Sequence, residues 1–155
     1  MSCYLAPVDA RVAVPFEAPA CNYCPGHRGQ EYDVARDTPV RAAAAGVATF
    51  VGIVVGVRYV VVAHDDGIRA TYGMLSDADV ILGERVVAGQ LVGWSSTRLY
   101  FGLKASDDTP LDPSLFVAVA TRRPRLVPTD GSTSRPAAQR ARSCPAPVPR
   151  GRSSR

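Results

Sequence analysis

The stretch "GVATFVGIVVGVRYVVVAHDDGIRATYGML" (46–75) most constrains what this chain can fold into. It is dense in Val, Ile, Phe and Tyr, with glycines at the ends or bulges of β-prone runs. Its composition predicts strands near 46–54, 57–64 and 68–75. "DDG" between the last two is a hairpin signal. "RVVAGQLVGWS" (85–95) predicts a further strand pair broken at Gly89, and the alternation of "RLYFGLKA" (98–105) predicts another strand. "VRAAAAG" (40–46) alone has helix propensity. It is too short to stand as a helix, so an extended crossing of the sheet competes with that reading. "LDPSLF" closes the body, with Pro113 opening a short turn or helix. The class is all-β, built from short antiparallel strands.

At 155 residues with 46% apolar side chains, the chain has material for one domain with a real core. Its net charge of +4 is unevenly spread. Residues 1–120 hold nine basic against thirteen acidic side chains, and residues 121–155 hold nine basic against Asp130 alone. The boundary is therefore placed at 120: a mildly acidic domain over 1–120 and a basic Pro/Arg/Ser-rich tail over 121–155. The tail lacks aromatics and cannot offset its ordering entropy, so it is predicted to be disordered. Its readings are a solvated extension or a nonspecific contact with a polyanion. With no ring for base stacking, specific nucleic-acid reading is not expected. No apolar run approaches the roughly 20 residues of a membrane-spanning helix. "MSCYLAPVDA" lacks the features of a signal peptide. Taken literally, the sequence predicts a cytoplasmic protein; a misassigned start codon would instead allow a cell-envelope or secreted one. Cys3, Cys21, Cys24 and Cys144 do not read as a spaced disulfide framework.

Five segments, in this order, carry a resemblance. "GHRGQEYD" (26–33) resembles a histidine-x-glycine-x-aspartate opening. "DTPVRAAAAGVA" (37–48) resembles a G-T-P-V-x-A-x-x-x-G-x-V run. "VVVAHDDGIRATYGML" resembles a hairpin ending in Tyr-x-His-Leu. "VILGERVVAGQLVGWSS" resembles V-x-x-G-x-x-V-x-x-G-Q-x-I-G. "RLYFGLKASDDTPLDPSLFV" resembles a closing His-Leu-His-Phe-Glu strand with an "LDP" turn, and fits better the Cys-Leu-His-Trp-Gly-Leu variant of actinobacterial relatives. Over about residues 4–117 the chain thus resembles the lysostaphin/LytM-type zinc metallopeptidases, the duplicated-hybrid-motif family M23. The resemblance implies a compact antiparallel β-sandwich with a groove along the sheet, and peptidoglycan cross-bridges or stem peptides as the family's substrates.

A catalytic zinc takes three protein ligands and an open water position. Carried over by position, the first ligand is His27 and the family's aspartate becomes Glu31, with Asp33 out of register. The third ligand position is Tyr100, and the two assisting histidines become Met74 and Arg98. The extra methylene of Glu31 shifts its carboxylate by about one C–C bond, ~1.5 Å. A tyrosine must lose a proton with a pKa near ~10 to ligate well. Arg98 brings a permanent cation beside a dication, and Met74 is no base. Loss of a general base alone costs about 10²–10⁴ in rate. The resemblance with these substitutions implies a noncatalytic homologue, without zinc, that binds peptidoglycan peptides or a partner cell-wall hydrolase through the old groove. The alternative is a divergent zinc metalloendopeptidase acting on cell-wall peptides through His27, Glu31 or Asp33, and Tyr100.

"CNYCPGH" offers an alternative metal loop, with Cys21, Cys24 and His27 in C-x-x-C-x-x-H spacing; a local disulfide and two inert thiols are the competing readings. Tyr72, Arg98 and Tyr100 are groove-binding candidates: the rings give contact area at low entropic cost, and Arg98 is a carboxylate anchor. Trp94, Tyr72 and Phe101 also read as core or groove wall. His64 reads as a strand-end histidine bonding the "DDG" turn. A lipoyl-type carrier shares the "G-x-x-V-x-x-G-Q" hairpin, but it needs an acceptor lysine at a hairpin tip. The sole lysine, Lys104, lacks that context.

Overall fold

The structure is a computed structural model and describes residues 3–118. The expected disordered tail, 121–155, lies outside the described residues. Nine strands pair antiparallel: β1 (Val12–Val14), β2 (Gln30–Asp33), β3 (Pro39–Arg41), β4 (Gly46–Val54), β5 (Val57–His64), β6 (Arg69–Ala78), β7 (Arg85–Val86), β8 (Leu91–Lys104) and β9 (Pro110–Leu111). Their order is β1-β2-β8-β6-β5-β4-β7, with β3 and β9 also paired to β8. The all-β antiparallel class expected from the sequence is the observed one.

Local chemistry accounts for most boundaries. β4 and β5 are joined through Val55 and Gly56, both at positive φ (49° and 75°). Such two-residue turns match the twist of paired strands. Gly67, at φ 83°, turns β5 into β6 after "DD". Asp112 caps a 3-10 turn at Pro113–Leu115 by accepting from the Ser114 amide at 2.9 Å.

One expectation needs correction, and two segments are settled that the sequence left open or unread. The segments 85–95 and 98–105 contain not a strand pair and a separate strand but one 14-residue strand, β8, preceded by the short β7, which pairs with β4. The polar "SST" at 95–97 hid this continuity. Ser95 is in fact buried, its amide donating to the Thr38 carbonyl and its hydroxyl to that of Ala35. Residues 40–46 form no helix. β3 is followed by a bend whose amides bond across the core: Ala42 to the Gln90 carbonyl and Ala43 to the Tyr72 hydroxyl, both at 2.8 Å. The polar "QEYD" of β2 gave no strand signal, yet Gln30 and Tyr32 point inward while Glu31 and Asp33 point out.

Strand alternation separates two faces. Val60, Val62, Ala70, Tyr72, Leu99, Phe101 and Leu103 fill the inner face, all at 0% exposure. The N-terminal segment and residues 42–43 cover it. There Tyr4 bonds the Phe116 carbonyl through its amide and Asp66 through its hydroxyl, at 2.5 Å. His64 ends β5 and bonds the turn through its backbone, while its ring Nδ1 reaches the Ala45 carbonyl at 2.8 Å. Lys104 is the last residue of β8, paired with Arg69 and Pro110, and does not sit at a hairpin tip.

Candidate functional site

The outer face carries a row of residues in register across five strands: Glu31 (β2), Tyr100 (β8), Gly73 (β6), Tyr59 (β5) and Gly52 (β4). Glu31 is its electrostatic centre. The His27 Nε2 lies 3.2 Å from Glu31 Oε1, and the Arg98 guanidinium donates to Glu31 Oε2 at 2.9 Å. Arg98 also stands 4.0 Å from Asp33, its cross-strand neighbour. Burial raises the Glu31 pKa, but hydrogen bonds from Arg98 and His27 outweigh it and hold the carboxyl below the usual carboxylate range. The His27 ring meets Tyr100 edge-on, with centroids 6.0 Å apart.

His27 is positioned by a small loop. Its amide and carbonyl pair with Glu17, both at 2.9 Å, and the loop between them is closed by a Cys21–Cys24 disulfide. Arg28 clamps that turn by donating to the carbonyls of Asn22 and Cys24. The alternative metal loop is thereby corrected: the two sulfurs bond each other and offer no thiolate to zinc. The local disulfide, one of the readings left open for this pair, is the observed one, and Cys3 is disulfide-bonded as well.

Tyr100 lies flat because glycines make room. A Cβ at Gly29 would fall 2.7 Å from its ring, and one at Gly102 would fall 2.9 Å from its hydroxyl. Desolvation raises the Tyr100 pKa, with further upward contributions from Tyr59 and Glu31. The phenol is thus harder to ionise than in water. Met74 sits in the bulge where β6 slips against β8, at φ 60°.

The structure therefore brings His27, Glu31, Arg98 and Tyr100 together and leaves Asp33 at the margin. Tyr72 is not among them. It is fully buried on the opposite face, with burial pushing its pKa up and its hydroxyl held by the Ala43 amide. The sequence placed it in the groove because "TYG" fits the Tyr-x-His motif, but a one-residue step reverses the face. The ring that does reach the row is Tyr59. It escaped notice because "VRYVVVAH" reads as uniform core strand.

As placed, this donor set does not fit a catalytic zinc. Both Glu31 oxygens are engaged, and both His27 nitrogens face acceptors, Nδ1 lying 3.2 Å from the Pro15 carbonyl. The third position is a phenol kept protonated, and a guanidinium lies where the metal's charge would be balanced. Among the described residues, no group of three or more His, Cys, Asp and Glu side chains is arranged to hold a metal ion.

The model of Peptidase family M23 matches residues 25–113. The chain belongs to peptidase family M23. This M23 chain is 35% identical over 78 residues to Uncharacterized protein Rv2891 of Mycobacterium tuberculosis and to Uncharacterized protein Mb2915 of Mycobacterium bovis. Each match covers 50% of the chain and 31% of the relative, so it spans about a third of those relatives' length. Helicobacter pylori Csd3 superposes with a TM-score of 0.66 at 25% identity, covering 77% of this chain and 34% of Csd3. The solution structure of lysostaphin gives a TM-score of 0.64 at 23% identity, over 87% and 64%. A chain of the SpoIIQ–SpoIIIAH pore-forming complex gives 0.63 at 20%, over 76% and 92%. The latter two likenesses show the M23 fold alone.

Proposed function

We propose that this M23-family chain is a noncatalytic wall-binding module, which uses the former active-site groove to hold peptidoglycan. One observation carries the reading: Arg98 donates to Glu31 at 2.9 Å, so a fixed guanidinium neutralises the carboxylate that a metal would need. A partly buried carboxylate satisfied by both a guanidinium and an imidazole has little reason to release either for a dication. Arg98 is in turn engaged by Glu31 and Asp33, which withdraws it as the free carboxylate anchor expected from sequence. A partner protein at the groove is the second form of the same reading, supported by the presence of a SpoIIQ–SpoIIIAH complex among the structural neighbours. The disulfides support an oxidising location, at the envelope or outside the cell, in place of the cytoplasm.

The test is elemental zinc analysis of the purified protein, together with incubation on purified cell-wall sacculi. We expect substoichiometric zinc, no release of peptide and co-sedimentation with the sacculi. Stoichiometric zinc with cleavage abolished by a chelator would establish the divergent endopeptidase instead.

A further inference from the structure

The groove floor beyond the ion-paired cluster has a construction of its own. Three aromatic rings lie against the sheet, each over a glycine. Tyr100 covers Gly29 and Gly102. Tyr59 covers Gly73, where a Cβ would stand 2.6 Å from the ring. The tip of Phe50 covers Gly52, 3.2 Å from such a Cβ. Side chains at those glycines would lift the rings. Their absence makes a low aromatic shelf running from β8 to β4. Phe50 remains 39% exposed, and Tyr59 and Tyr100 are half-buried.

Two further features decide what such a shelf can hold. The strands beneath it are paired on both sides from β5 to β8, so their backbone amides and carbonyls are spent within the sheet. An extended peptide cannot add as another strand over β5 to β8; the free edge that strand addition needs lies beside β4 beyond Val47, at the rim of the shelf and not on its rings. The shelf is also uncharged. Phe50, Gly52, Tyr59, Val61, Thr71 and Gly73 offer flat apolar faces and hydroxyls; of the charges near Tyr100, Glu31 and Arg98 neutralise one another and Arg28 is turned to the Asn22 and Cys24 carbonyls.

A ligand suited to these features is neutral, has a flat C–H face and carries hydroxyls at its rim. β-Linked, glucose-configured pyranoses have that form, because their equatorial substituents leave the ring faces to C–H bonds. Tyr59 and Tyr100 stand on strands separated by β6, so their backbones are about 10 Å apart at the usual strand spacing. That span exceeds one sugar ring and calls for an oligomer. We infer that the Phe50–Tyr59–Tyr100 shelf binds the glycan strand, stacking successive N-acetylhexosamine rings on its aromatic faces. This rests on the wall-binding reading above and names which part of the polymer the groove grips.

The experiment is calorimetric titration of the full chain with a peptide-free β-1,4-linked N-acetylglucosamine tetramer. A sugar-free stem peptide and intact sacculi are run in parallel. We expect the tetramer to bind, Tyr59→Ala and Phe50→Ala each to weaken it about tenfold, and Tyr59→Phe to bind as wild type, since it keeps the ring face. Leu115→Ala, at an exposed apolar position on the 3-10 turn, should change nothing. Phe50 is exposed enough that its alanine variant tests the shelf without disturbing the core. Sacculi or stem peptide binding without the tetramer would overturn the glycan assignment and leave the wall-binding reading intact. Tetramer binding unaffected by both alanine variants would also overturn it. No binding to any of the three probes would overturn both.

Discussion

Arg98 is the residue on which the chemistry turns. It stands where the family resemblance puts an assisting histidine, and its guanidinium closes the Glu31 carboxylate. Restoring the donors should therefore restore the metal. The triple variant Glu31→Asp, Arg98→His, Tyr100→His should bind about one zinc per chain by elemental analysis, with the wild-type chain expected to stay well below that. Glu31 also predicts an acid limb in stability. Its folded pKa lies below the ordinary 4.5, because the bonds from Arg98 and His27 outweigh the upward effect of burial. A carboxyl depressed in the folded state stabilises above its unfolded pKa, and that contribution is lost as pH falls through the folded value. Urea midpoints should therefore drop as the pH falls below about 5, and Glu31→Gln should flatten that drop. At this scale motif matching named four residues that stand together, His27, Glu31, Arg98 and Tyr100. Tyr72 faces the core instead of the groove and Tyr59 gave no signal, because motif matching does not register which side of the pleat a residue takes.

At the scale of elements, glycine placement decides which strands can approach. A Cβ at Gly46 would fall 2.3 Å from the Ala63 carbonyl oxygen, a backbone atom with nowhere to go. The added methyl of Gly52→Ala meets only the movable tip of Phe50, at 3.2 Å. Gly46→Ala should therefore cost about 1–3 kcal/mol or more by chemical denaturation, as overpacked sites do, and Gly52→Ala well under that. β4, β5 and the β6 hairpin were readable because β-branched runs alternate with turn glycines. β1, β2 and β9 were not: they are short, and β2 is polar on both its exposed positions. β8 read as two pieces because its middle is hydroxyl-rich, and only the partners on either side make that stretch a strand. The segment 40–46 kept two readings open because four alanines favour a helix locally, while the core they must cover leaves room only for extended backbone.

For the molecule as a whole, one hydroxyl fastens the cover to the sheet. Tyr72 accepts from the Ala43 amide at 2.8 Å in a fully buried setting. Tyr72→Phe leaves that N–H unpaired and should cost about 1–3 kcal/mol in denaturant midpoints, with the groove unaffected because the ring faces the other way. The same division has a broader consequence. In a pleated sheet, adjacent residues answer to different masters: those turned inward decide whether the chain folds, and those turned outward decide whether it reacts. Glu31, Arg98, Tyr100 and Tyr59 all belong to the second group, so a lineage can trade away hydrolysis residue by residue while every intermediate remains a sound β protein. Kinship to an enzyme, written in the inner residues, can in such a scaffold long outlive the reaction itself.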